Sequence, residues 1–136
     1  MTLDSGGSAD QPLIGYLGDE WLRAADQAVR DLTPIPSAVI VAVQVDRDNH
    51  EPPVRYRLVL GPDRVRLLAD DEPGQVLLIM SYQTACAIAQ GRLGARRAFL
   101  DGDIRLGGDS TALLGHQRQL AEIDDRLAEL RSRTRF

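Results

Sequence analysis

The chain has 136 residues, enough for one domain with a real core and too few for two. Apolar residues make up 43% and charged residues 26%, an ordinary globular balance, and the net charge of −4 argues against broad attraction to nucleic acid or anionic lipid. Its basic residues are all arginine, which removes Schiff-base chemistry and the phosphate-gripping lysine of a P-loop, while the single cysteine, Cys86, allows neither an internal disulfide nor a thiolate cluster.

Residues 1–15 read as a disordered leader, since MTLDSGGSADQ is small and polar and lacks the basic start and apolar run of a secretory signal. From Asp19 to Leu32 apolar residues recur with helical spacing, with Asp19 as N-cap, and Thr33-Pro34-Ile35-Pro36 stops the helix. Ala38 to Asp46 is a strand with Val39, Val41, Val43 and Val45 on one face and Ile40, Ala42, Gln44 and Asp46 on the other. Its first six residues are the longest purely apolar run, far short of the ~20 a spanning helix needs, so a soluble, cytoplasmic protein is expected. Val54–Leu60 and Arg64–Ala69, joined at Gly61-Pro62-Asp63, extend this into an antiparallel meander.

Gln75–Met80 is a nearly continuous apolar strand, and Thr84–Gln90 a short helix capped by Gly91. Ala95–Leu100 gives a turn and a half of amphipathic helix that Gly102 ends. Asp103–Leu106 then alternates as a strand, and Gly107-Gly108-Asp109-Ser110 turns into a final helix over Thr111–Arg131. That helix carries Leu113, Leu120 and Leu127 seven apart, beside His116, Ile123 and Leu130. Its wide front half suits packing within the domain. The narrow part beyond Ile123 suits either self-packing or a homodimer contact.

This element order implies an α+β fold, a mostly antiparallel five-stranded sheet with helices packed on one side. The stretch Gly102-Asp103-Ile104-Arg105-Leu106 with Gly108-Asp109, the helix ending at Gly91, and Tyr16-Leu17-Gly18-Asp19-Glu20-Trp21-Leu22 together resemble the sterol carrier protein type 2 family, as a stand-alone bacterial-type member. The resemblance covers residues 16–123 and leaves 124–136 as a C-terminal helix extension and tail. It implies a hydrophobic tunnel between sheet and helices that accepts sterols, fatty acyl chains or acyl-coenzyme A. The candidate walls are the one-sided apolar faces: Val41, Val43, Tyr56, Leu58, Ile88, Phe99, Leu106, Leu113 and Leu120. A solid core would demand the same residue types.

The chemistry-bearing residues offer little else. His50 sits in a polar turn with Asp46, Asp48 and Glu51, which lacks the glycine and bidentate glutamate of a calcium loop. His116 lies on an apolar seam, where a core or interface histidine is favoured over a ligand contact, and two distant histidines do not make a zinc site. The Gly107–Ser110 turn is favoured as structural over a phosphate or coenzyme A contact, because Asp109 places negative charge where the anion would sit. The arginines Arg96, Arg97, Arg131, Arg133 and Arg135 are favoured as a solvated face over a contact with lipid headgroups or acidic partners. No nucleophile elbow occurs.

The expected function is therefore non-enzymatic binding or transfer of a hydrophobic small molecule (fatty acyl, acyl-coenzyme A, isoprenoid or sterol-like), with no cofactor, metal, nucleic-acid partner or stable membrane insertion. Two alternatives stay open. One is a dimeric interaction module with a closed tunnel. The other is a small-cavity enzyme of specialised metabolism, which needs Tyr56, Gln44 or His116 to point into the cavity.

Overall fold

The computed structural model describes residues 13–30, 32, 38–47, 51–62 and 64–136, apart from the side chains of Ser110 and Leu114. The leader up to residue 12, the stop at Thr33-Pro34-Ile35-Pro36, the turn residues Asp48 and His50, and Asp63 lie outside the described residues. In chain order the elements are β1 (Ile14–Gly15), α1 (Asp19–Val29), β2 (Val39–Asp46), β3 (Val54–Leu60), β4 (Val65–Leu68), β5 (Val76–Ser81), α2 (Tyr82–Ala89), α3 (Ala95–Leu100) and β6 (Ile104–Gly108). A 3₁₀ helix (Ser110–His116), α4 (Gln117–Ala128), a second 3₁₀ turn (Arg131–Arg133) and β7 (Thr134–Arg135) complete it.

Five strands form one sheet in the order β4-β3-β2-β5-β6, with β2 and β5 parallel and the other pairs antiparallel. This is the expected α+β architecture. Strand β2 sets its polarity: Val39, Val41, Val43 and Val45 alternate inward and are almost wholly buried, while Ile40, Ala42, Gln44 and Asp46 face out and are half-covered. Register carries the pattern across the sheet. Tyr56, Val43, Leu78 and Leu106 stand in one inner row, and Leu67, Leu58, Val41 and Val76 in the row beside it.

Helix α1 lays Trp21, Leu22, Ala25 and Val29 on the inner face and packs along β4. Its Asp26 closes the sheet edge. The carboxylate accepts from the backbone N–H of Leu67 at 2.8 Å, from both Nε and Nη2 of Arg66 at 2.8 and 2.9 Å, and from Arg30 at 2.8 Å. An exposed β4 edge would leave donors such as Leu67 N–H open to another strand; Asp26 takes that donor into the fold.

The structure divides the expected helix over Thr111–Arg131. Ser110–His116 is a 3₁₀ helix, and the α-helix begins only at Gln117. Gly115, a weak helix former, lies at the junction, where His116 takes φ −120° and its Nδ1 sits 3.0 Å from the Ala112 carbonyl. The boundary expected at residue 123 falls inside α4, and the chain beyond it returns to the core. Leu130 and Thr134 are buried, Thr134 Oγ1 accepts from the Trp21 indole at 3.2 Å, and β7 pairs with β1, so that Ile14 is buried rather than part of a leader. The seam residues His116, Ile123 and Leu130 are likewise buried, and Leu113, Leu120 and Leu127 pack on the same core.

Asp26 generates the first prediction. Burial alone would raise its carboxyl, but the Arg66, Arg30 and Leu67 hydrogen bonds outweigh that and hold it at about 2, below the ordinary 3.8. A depressed carboxyl stabilises the fold fully above about pH 4 and loses that contribution as pH falls toward 2. Asp26→Asn should lower stability by about 2 kcal/mol at pH 7, with the gap to the parent closing as pH falls below 4. Urea unfolding at pH 7 and pH 3 checks both halves of this.

Candidate functional site

Coverage of the inner face is uneven. Across the middle of the sheet and along β4, Val39, Val41, Val45, Leu60, Val65 and Val76 are all under 2% exposed. On β5 and β6 the inner face is mixed: Val76 and Ile104 are buried, while Leu78, Met80 and Leu106 are only half-buried although they face the helical layer. Above them Ala112, Leu113, Leu120 and Leu127, from the 3₁₀ helix and α4, are half-buried too. These apolar side chains of the inner layer keep partial contact with water.

Five of the nine expected wall residues, Val41, Val43, Tyr56, Leu58 and Leu106, stand together in the two inner rows. Leu113 and Leu120 pack on the same cluster. Ile88 is half-buried on α2 and lies outside that cluster. Phe99 is corrected: it is 45% exposed, and Leu100 beside it 69%. Helix α3 is six residues long and turns only Ala98 inward, so Phe99, about 100° further round, faces away.

At one end of the Tyr56 row sits a cluster of phenols and a thiol that residue spacing did not reveal. The Tyr16 ring meets Trp21 edge-on at 5.0 Å and lies 5.9 Å from Tyr82 and 5.1 Å from Phe136. Its hydroxyl donates to the Ala85 carbonyl at 3.1 Å. Burial raises Tyr16 far above the usual phenol range, with Tyr56, Cys86 and Tyr82 adding to the effect. Burial alone pushes Tyr56 up to about 12, and it also raises Tyr82 and Cys86. All four groups are therefore uncharged at neutral pH. Only the tertiary return of β7 brings Phe136 to Tyr16; the two ends of the described chain carry no periodic signal for it.

The other groups weighed for chemistry are placed elsewhere. Gln44 lies on the outer face, donating to Asp46 at 2.8 Å and accepting from Arg55 at 3.2 Å. It borders a cleft of about 110 Å³ with Ala42, Arg55, Asp71, Pro73 and Leu77, smaller than the ~300 Å³ at which small-molecule pockets begin. His116 is buried against its own helix. In the glycine turn, Gly108 has φ +72° and its α-carbon lies so close to the Gln75 carbonyl that a side chain would collide. The Asp109 amide is taken by that same carbonyl at 2.8 Å. Among the described residues, no cluster of three or more histidine, cysteine or carboxylate groups could hold a metal, and no helix is long and apolar enough to cross a membrane.

Comparison with known proteins agrees with this architecture. No protein-family model matches the chain, and no curated protein matches its sequence. Among solved structures, a crystal structure of sterol carrier protein 2 superposes with a TM-score of 0.69 at 15% identity, covering 84% of this chain and 98% of its own. A conserved hypothetical protein of Thermus thermophilus, considered a candidate sterol carrier protein, superposes at 0.66 with 15% identity, covering 88% and 92%. The chain thus has the fold of the sterol carrier proteins, as its sequence resemblance led us to expect.

Cys86 offers a check on the buried cluster. Burial raises its thiol, outweighing the Tyr82 hydrogen bond and the Arg92 charge that act to lower it. Iodoacetamide at pH 7.5 should label it at least about tenfold more slowly in the folded protein than in urea, as expected for a covered, protonated thiol. Equal rates would place the thiol in water.

Proposed function

We propose that the chain binds and carries an apolar small molecule in the seam between the inner sheet rows and the C-terminal helices. The observation that supports this reading is the incomplete burial of Leu78, Met80 and Leu106 on the sheet and of Leu113 and Leu120 on the C-terminal helices, beside a valine region that is almost wholly closed. A close-packed interior leaves few such gaps, and those it leaves in apolar surroundings stay dry until an apolar guest enters. Removing the remaining apolar surface from water is worth roughly 25 cal/mol per Å², the driving force for such a guest. The shared fold supports the same reading, because the superposed proteins take their name from sterol carriage. Fatty acyl, isoprenoid and sterol-like molecules all fit this chemistry. The account needs neither a nucleic acid nor stable insertion into a membrane, and it suits a cytoplasmic carrier.

The test fills the seam. Nile red, a neutral apolar dye, should bind the parent saturably, and Leu106→Trp, which places a bulky ring in the Tyr56–Val43–Leu78–Leu106 row, should weaken it by roughly tenfold or more. Because Leu106 is only half-buried, the variant should keep the parental circular dichroism. Equal dye affinity in a folded variant would move the binding site off the inner face.

A further inference from the structure

We propose that helix α3 is a docking tip, through which the chain makes reversible surface contact with bilayers that contain anionic phospholipid. Four large apolar side chains are exposed among the described residues, and two of them, Phe99 at 45% and Leu100 at 69%, are neighbours on this helix. Of the others, Phe136 has its ring against Tyr16 and Leu13 precedes β1. Neither Phe99 nor Leu100 belongs to the core cluster or to the side chains packed on it.

Helical geometry joins the pair to a cation. Arg96, Phe99 and Leu100 stand at i, i+3 and i+4 and share the outward side of α3, while Ala98 on the opposite side is wholly buried. The helix also stands clear of its surroundings. A side chain begun at Gly94 or at Gly102, the glycines that bracket it, would meet no atom within 4 Å. A single exposed leucine needs no explanation, but an apolar pair beside arginine on a projecting turn is an interaction surface.

Charge and shape select the partner. Residues 92–105 carry four arginines against two aspartates, in a chain whose net charge is −4. All four arginines are exposed. Arg97 is paired with Asp101 at 3.1 Å, whereas Arg96 has no ion pair among the described residues. An anionic surface therefore repels the molecule as a whole and attracts this part of it, which turns α3 toward the surface. A protein interface of ordinary size covers about 800 Å² on each partner, while α3 has six residues and is about 9 Å long. A bilayer interface gives way around two protruding side chains, takes up their apolar surface at headgroup depth, and supplies the counter-charge for arginine. Molecules too apolar for water reside in bilayers, so the contact serves a carrier, but it does not require the inner seam to be open.

Co-sedimentation of the full chain with vesicles tests this. The parent should bind vesicles of mixed phosphatidylglycerol and phosphatidylcholine at least about tenfold more tightly than phosphatidylcholine alone, and about 0.5 M salt should remove most of that advantage. Phe99→Ser combined with Leu100→Ser should weaken binding to the mixed vesicles by about tenfold, and Arg96→Gln by about fivefold. All three side chains are exposed, so the variants should melt with the parent and, without vesicles, take up Nile red as the parent does. No binding to the mixed vesicles, equal binding to both kinds, or variants that bind as the parent does would each overturn the docking tip and leave the inner-face reading in place. A parent that is dimeric without lipid, and monomeric after the serine substitutions, would assign the patch to a second copy of the chain instead.

Discussion

A sheet covered by helices on one face must send its large apolar side chains to that face, and here the rule acts through strand β2. Its four inward valines are the hub from which β3 and β5 take their register on either side. A slip of one residue would turn every valine outward and bring Ala42, Gln44 and Asp46 into the core. The inner rows, the place of Tyr56 and the outward aim of the strand arginines all follow from this single alternation. The edge carboxylate Asp26 protects it by occupying the backbone donor of Leu67 and clamping Arg66 across the last strand.

The two halves of the inner face then differ in how they are finished. Across the middle of the sheet and along β4 the interior closes with valines and Leu60 almost wholly out of water. Toward β5 and β6 the covering elements are a 3₁₀ helix and α4, which leave leucines on both sides of the seam half-covered. Closure of the core is therefore tighter on one side than on the other. The tail contributes to the closed part. Strand β7, Thr134 beneath Trp21, and Phe136 against Tyr16 tie the end of the chain to its first described strand.

Much of the fold was legible in the sequence because its signals are local. Val54–Leu60 and Ala95–Leu100 end where alternation and glycine placement put them, and the valine alternation of β2 named the correct inner face. The same alternation brought Val41, Val43, Tyr56, Leu58 and Leu106 to one surface. What escaped was tertiary. Asp26 resembles any polar helix residue until Arg66, forty positions away, meets it. Two-residue strands such as β1 and β7 are too short to show a period. Phe99 was expected inward because it is apolar, but a six-residue helix buries one side chain and leaves its neighbours outside.

The most direct measurement is native mass spectrometry of freshly expressed protein, with extraction of whatever rides on it. The expected result is a fraction carrying one small apolar molecule, released when Nile red is added in excess. Bare protein mass at every stage, from a preparation that also fails to take up the dye, would contradict an open inner seam and leave the half-covered leucines as surface of a closed core.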